Sequence, residues 1–471
     1  MTIPGAAARR RVQRSGAFSH RNYRVYFGGQ VTSLVGTWMQ QVAQAWLVLQ
    51  IGGGNPLWLG VVAAAQYLPV MLFGLFGGIV ADVLPKRQTL LWVQVVMMVL
   101  AAILAVLTFT GLVEVWMVIV MAVLLGCANT IDMPVRQAFT IEMVGPRDIG
   151  NAVALNSAAF NGARIVGPAV AGLAIGTFGI ATAFAVNAAS FLAVIVSLMV
   201  MRDDALFRTR SLPRPRSVGA VLDNLAEGLA FVRHTPLVLM ALTTVGLTAT
   251  FGMNFNVIVP PLAQDVLGSD ASGYGFLMTA SGVGALSAAL GLAMTHRVRP
   301  VIVAIGSITL GVASIALSVV QWYPLALLLM VPIGAGGIAM AATANTTIQL
   351  AVPDALRGRV MSVYTTAFSA SVPIGGLAAG ALAGSLGILP TIALGGGLSL
   401  VVGLVALVWW QRIGRDSPRA DRLAAPTAEA TSGVADGVRA PSPLAVGQST
   451  APSTSAAFKP PKPNEVLSTR R

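Results

Sequence analysis

Few residues in this chain can do chemistry, because only 10% of its 471 residues are charged. Arg164 is the single charge between Asp148 and Arg202. It lies 13 residues past Asn151, about 20 Å along a helix. A charge at that depth of a bilayer costs about 2.5–3.5 kcal/mol or more unless it meets a cavity or a partner. Arg164 can therefore bind an anionic group of a substrate, meet an acid, or tie two helices together. Asp132 is the one acid well inside an apolar stretch, and Arg136 follows four residues later, on the same helix face. Burial favours a protonated carboxyl and an ion pair favours an ionised one. Asp132 is thus either a proton carrier or the static partner of Arg136. Gln30, Ser33, Thr37, Gln40, Gln41 and Gln44 form a polar stripe at helical spacing. Amides in hydrocarbon must face protein or water. The stripe is expected to line a central cavity with Asn254 and Asn256, near Trp38, Met39 and Tyr364, as a broad site for a large amphipathic ligand. Interhelical hydrogen bonding is the alternative use.

Other chemistries are disfavoured. His20, His234 and His296 lie at expected boundaries without metal-ligand spacing, and Cys127 is the only cysteine. A disulfide framework and a Cys-based metal site are excluded. The three lysines, Lys86, Lys459 and Lys462, include none in a Gly-Lys-Ser/Thr phosphate loop. The chain is therefore expected to be neither an enzyme nor an ATP-driven pump, and to use no cofactor.

The elements that must hold these residues are membrane helices. Fifty-five percent of the chain is hydrophobic, and its charges are too few to coat soluble domains of this size, where about a quarter of residues are charged. Twelve stretches have the roughly 20 apolar residues that span a bilayer. They fall at 26–50, 57–81, 89–110, 115–136, 151–176 and 179–201, then 236–260, 273–295, 300–320, 323–345, 359–384 and 388–411. Residues 1–25 form an expected cytosolic segment, 26–201 a six-helix bundle, and 202–235 a linker with an amphipathic helix from Val218 to Val232. A second six-helix bundle follows over 236–411, and 412–471 is a disordered tail rich in Pro, Ala, Ser and Thr. The segment Met1–Arg14 has no apolar core and does not read as a secretory signal.

The thirty Lys and Arg residues outnumber seventeen acids, giving a net charge of +13. All of the thirty except Arg164 fall before the first stretch, after the last, or at alternate connections; the intervening connections hold none. Basic loops face the cytoplasm. The pattern places both termini inside a plasma membrane and assigns the excess charge to orientation and anionic inner-leaflet lipid, with no role for nucleic acid.

The two halves repeat. Phe160 to Ile180 aligns without gaps on Phe368 to Ile388, matching Gly167 with Gly375, Gly172 with Gly380 and Gly179 with Gly387. Two related halves around a shared midplane site are a common plan for secondary transporters. The connection Gly78-Ile79-Val80-Ala81-Asp82-Val83-Leu84-Pro85-Lys86-Arg87 resembles the signature of the major facilitator superfamily, with Val83 in place of a basic residue and Pro85 in place of Gly. The resemblance implies that Asp82 meets the N-terminus of helix 11 and that Gly78, Asp82, Lys86 and Arg87 latch an outward-open state. The matching place in the second half carries Thr295 instead of an acid. The run Gly162-Ala163-Arg164-Ile165-Val166-Gly167-Pro168-Ala169-Val170-Ala171-Gly172 is similar to the Gly-Pro element of proton-driven exporters in that superfamily. With Asn22-Tyr23-Arg24, Pro134-Val135-Arg136-Gln137-Ala138 and Asn151–Asn156, it resembles the branch of enterobactin-exporter-like efflux carriers over about 18–412.

The expected fold is an all-α membrane protein of twelve transmembrane helices in two pseudo-symmetric six-helix bundles. The resemblance implies a monomeric, ion-gradient-driven exporter, with H+ as the expected ion, that moves a small amphipathic drug or siderophore-like molecule by alternating access. An importer or lipid flippase of the same fold is the nearer alternative. A non-transporting receptor or scaffold is the alternative of another class, and it leaves the stripe and the buried Arg without a use.

Overall fold

The computed structural model describes residues 16–207, 218–295 and 299–416; the side chains of 75–82, 218, 220–222 and 414–416 are outside that description. The chain forms helices α1 (Arg21–Ile51), α2 (Pro56–Val83) and α3 (Lys86–Phe109), then one run, Val115–Phe178, broken at Gly145 into α4 (115–144) and α5 (146–178). Helix α6 (Ile180–Met199) closes the first half. The second half comprises α7 (Val218–His234), α8 (Pro236–Gly252) continued by the short α9 (Phe255–Pro261), α10 (Ala271–Met294), α11 (Val301–Leu317), α12 (Tyr323–Ala351), α13 (Asp354–Leu386) and α14 (Ile388–Asp416).

With α7 set aside and α8 and α9 taken as one pass, the helices make twelve crossings in two six-helix bundles. Among the described residues, nine runs are both long and apolar enough to span a bilayer by length and composition. The difference has three local causes. Helix α1 carries the amide stripe, α11 is 17 residues long, and α4 and α5 run together through a single-residue break. Gly145 makes that break with φ 73, a conformation costly for residues with a Cβ. The stretch 137–150, expected as a loop, is therefore helical. Arg136 belongs inside α4 and not among the loop cations.

The repeat is visible in the helix ends. Helices α5 and α13 open at Gly145-Pro146 and Val352-Pro353 and both stop at a glycine of positive φ, Gly179 (85°) and Gly387 (88°). These two helices make the main contacts between bundles. A Cβ added at Gly60 of α2 would lie 2.4 Å from the Gly376 carbonyl oxygen, and one at Gly275 of α10 would lie 2.5 Å from the Pro168 carbonyl oxygen. Gly376 and Pro168 occupy the same place in the repeat, so α2–α13 and α5–α10 are one contact used twice. Glycine lets the backbones approach this closely.

The two ends of the molecule differ. At the end whose connections lack Lys and Arg, here the neutral end, one hydrophobic core joins both bundles, from Met39, Trp46 and Leu59 through Ala171 and Tyr274 to Ile333 and Ala383. At the basic end the cores are separate. Tyr23, Tyr26, Phe139 and Leu198 fill the first bundle, and Val238, Val303, Ile348 and Val360 fill the second. Among the described residues, the two bundles share one core at the neutral end and keep separate cores at the basic end.

Candidate functional site

A small, half-open pocket lies under the neutral-end core, lined by Gln41, Gln44, Ala45 and Val48 of α1, by Leu59, Val62, Ala63, Gln66 and Tyr67 of α2, and by Asn256 of α9. The first bundle supplies nine of these ten residues, and Asn256 is the contribution of the second. Gln44 Nε2 donates to Gln66 Oε1 at 3.2 Å, so one amide spends part of its capacity on another. The amide stripe of α1 thus divides by rotation about the helix. Gln41 and Gln44 face the cavity. Gln30 and Gln40 turn into the first bundle, where Gln40 Oε1 accepts from Asn187 Nδ2 at 2.5 Å. Gln40, expected at the cavity, is instead a tie between α1 and α6. Asn254, also expected there, lies between α8 and α9 and donates Nδ2 to the Thr250 carbonyl of α8 at 2.6 Å. Residues 41 and 40 are 100° apart on a helix, and counting polar residues along the stripe does not separate them.

Arg164 sits below the cavity in α5. Its guanidinium carbon is 5.8 Å from the ring centre of Trp38, and Trp38 packs edge-on to Phe160 with ring centres 5.6 Å apart. Trp38 is three residues before Gln41, on the same side of α1. Among the described residues Arg164 has no hydrogen-bond acceptor and no carboxylate partner for its side chain. Its backbone is also special. Pro168 has no N–H to give the Arg164 carbonyl. That oxygen faces Gly282 of α10, where an added Cβ would come within 3.1 Å. Thr279 of α10 donates its hydroxyl to the Ile165 carbonyl at 3.2 Å and Ser272 donates to the Gly172 carbonyl at 3.0 Å. Gly167 sits against Trp38, with an added Cβ 2.4 Å from the Trp38 Cβ. Gly172 lies against Ser272, while Gly162 has no neighbour within 4 Å. The glycine-proline run is a docking strip for α10 and α1, and Gly162 takes no part in it.

Asp132 and Arg136 are together and buried. Asp132 Oδ2 accepts from Arg136 Nε at 2.9 Å and from its Nη2 at 2.6 Å, and Gln94 Nε2 of α3 donates to Asp132 Oδ1 at 2.9 Å. Arg136 also donates to the Tyr26 hydroxyl at 3.2 Å and to Gln30 Oε1. The network joins α1, α3 and α4 inside the first bundle, nearer the basic end than the cavity. Gln66, Tyr67 and Gln94 were not singled out from the sequence. The available signal was an isolated amide deep in an apolar helix.

Gly78 and Asp82 lie in the stretch whose side chains are outside the described residues. Of the same motif, Lys86 binds Glu142 of α4 at 2.7 Å. Arg87 binds Asp203 at 2.5 Å and donates to the Leu198 carbonyl at 2.8 Å. All of these partners belong to the first bundle and its exit. Tyr364 is in the second bundle, stacked on Phe368 at 6.3 Å and donating to the Ala341 carbonyl at 3.3 Å; it is not among the cavity residues. Helix α7 docks on α13 through Arg359, which binds Glu227 and donates Nε to Asn224 Oδ1 at 2.9 Å.

Comparison with known proteins fits this geometry. Residues 15–428 match the family described as transmembrane secretion effector. The chain belongs to that family of the major facilitator superfamily. It is a transporter and not an enzyme. It is 32% identical over 387 residues to the multidrug efflux pump Tap of Mycolicibacterium fortuitum, covering 80% of this chain and 93% of that protein. It is 24% identical over 269 residues to the staphyloferrin A transporter of Staphylococcus aureus, covering 57% of this chain and 66% of that one. In fold it resembles a solved peptide transporter, POT, with a TM-score of 0.67 at 14% identity, covering 83% of this chain and 94% of the other. A bacterial homologue of the lysosomal transporter Spinster, solved inward-facing and unoccupied, superposes with a TM-score of 0.59 at 14% identity, covering 82% of this chain and 95% of that one. These last two likenesses bear on the fold of the transporter alone.

Proposed function

We propose that the transporter is a proton-coupled exporter of a small amphipathic molecule, set in the plasma membrane with both termini and the basic end in the cytoplasm. The observation that carries the reading is the amide-lined pocket of α1 and α2, met by Asn256 of the second bundle, beneath the core that joins both bundles at the neutral end. With the basic end inside, it is an inward-facing state able to load from the cytoplasm or inner leaflet. The glycine-proline strip of α5 and the identity to a drug efflux pump support export. A drug-like or siderophore-like cargo suits a cavity of mixed amide and apolar walls, because spaced polar groups fix orientation while apolar surface gives affinity. Alternating access then requires the glycine contacts of α2–α13 and α5–α10 to part while the basic ends meet.

The energy is proposed to come from H+. Asp82 at the basic edge and Asp132 inside the first bundle are the acids placed to carry it. A proton on Asp132 removes the charge that holds Arg136, and this couples protonation to the packing of α1, α3 and α4. The test is efflux from energised cells or vesicles, with cargo found by comparing drug and metabolite accumulation in a deletion strain. Efflux is expected to collapse with a proton uncoupler and with Asp82→Asn. Undiminished efflux in both cases overturns proton coupling.

A further inference from the structure

We infer that the cargo carries an anionic group, of the carboxylate type, that binds the Arg164 guanidinium beside the Trp38 ring. The inference rests on the export reading above and names its substrate class.

Three observations carry it. The first is position. Helix α5 runs over 146–178, so Arg164 is about 27 Å from the basic-end start of the helix and about 21 Å from its other end. An extended arginine side chain is too short to reach either headgroup layer from there. Its charge must be met inside the protein or the cavity.

The second is the lack of a counter-charge. The other interior cation, Arg136, has a carboxylate, a tyrosine hydroxyl and an amide around it. Arg164 has only the Trp38 face among the described residues. An arginine laid on an aromatic ring keeps its in-plane N–H groups free. Those donors match a carboxylate, which accepts two parallel bonds from one guanidinium. The ring alongside gives an apolar or flat part of the same molecule a surface to lie on. Trp38 also leads, three residues on, to Gln41 and the amide-lined cavity, so an elongated ligand can hold its charged end at Arg164 and its polar remainder above.

The third is a comparison internal to the fold. The repeat pairs Arg164 with Val372. The two residues are half-buried alike, one before the α5–α10 contact and one before the α13–α2 contact. The second contact closes as tightly as the first, with added Cβ distances of 2.4 and 2.5 Å. The helix contact therefore has no need of a cation at this place. A charge that the architecture does without, at a cost in hydrocarbon, is there for something that enters.

The experiment is equilibrium binding to the purified full chain in detergent, where no gradient is present. The probes are 2-naphthoate and its uncharged isostere 2-naphthamide. Wild type is expected to bind naphthoate at least about tenfold more tightly, the yield of one desolvated charge-assisted pair. The preference should vanish in Arg164→Gln and survive in part in Arg164→Lys. Naphthoate should also protect Arg164 from phenylglyoxal, read by mass spectrometry of the wild-type protein, which needs no variant to fold. Equal binding of the two probes by wild type, an unchanged preference in Arg164→Gln, or no protection of Arg164 overturns the inference. Failure of proton-coupled export is a separate result: efflux insensitive to uncoupler would remove that reading while leaving naphthoate binding as it stands.

Discussion

Alanine at Gly60 or Gly275 tests the closure of the neutral end at its two equivalent points. The added Cβ would stand 2.4 Å from the Gly376 carbonyl oxygen in one case and 2.5 Å from the Pro168 carbonyl oxygen in the other. Real Cβ atoms essentially never come under 3.0 Å, and both obstacles are backbone atoms that cannot rotate away. Overpacking of this kind costs about 1–3 kcal/mol. The cost falls only on the state in which the neutral end is shut, because parting the bundles there removes the contact. Each substitution should therefore raise the ratio of open to shut at the neutral end by about 5- to 150-fold. The assay is electron–electron distance measurement between spin labels at Leu112 and Val319, exposed at the neutral end of opposite bundles, in a Cys127→Ser background. Both substitutions should shift the distribution toward longer distances, and Gly162→Ala, with nothing within 4 Å, should not. Wild-type distances in Gly60→Ala and Gly275→Ala would refute the assignment of these glycines as the seal. A shift in only one would refute their equivalence under the repeat.

Further outcomes follow from the charged groups and the breaks. Asp132→Asn leaves Arg136 buried without its carboxylate, a loss of about 3–5 kcal/mol; the apparent melting temperature should fall and recover in part in Asp132→Asn/Arg136→Gln, and no recovery would mean that the pair is not the unit. Gly145→Ala forces a Cβ into φ 73 and against Phe207 at 3.2 Å, so thermal stability should drop by about 1–2 kcal/mol; an unchanged melting curve would contradict the break. In α7, a Cβ at Gly228 would lie 2.6 Å from the Arg359 carbonyl oxygen, whereas Arg359 and Glu227 form a half-exposed pair worth about 1 kcal/mol or less. Hydrogen exchange over 223–234 should therefore rise more in Gly228→Ala than in Arg359→Ala, and the reverse order would show that charge, not packing, holds the linker.

The sequence by itself determined the class, the number of crossings and the pseudo-symmetry. Hydrophobic run length is set by bilayer thickness, and the repeat is written as matched glycines and prolines, which a single chain displays in order. It also marked Arg164, Asp132 and Arg136, because a charge in an apolar helix is conspicuous without any alignment. Rotation and register were decided only by the tertiary structure. Gln40 and Gln41 are neighbours in the chain, yet one bonds Asn187 in the bundle interior and the other lines the cavity. Gly60 and Gly275 look like any glycines of an apolar helix until the opposing carbonyl is in place. Gln66, Tyr67 and Gln94 become functional candidates only through the helices they meet. A sequence shows which groups cannot stay in hydrocarbon; the packing of helices chooses whether each turns to a neighbour, to the cavity, or, like Arg164, is left with an open set of donors among the described residues.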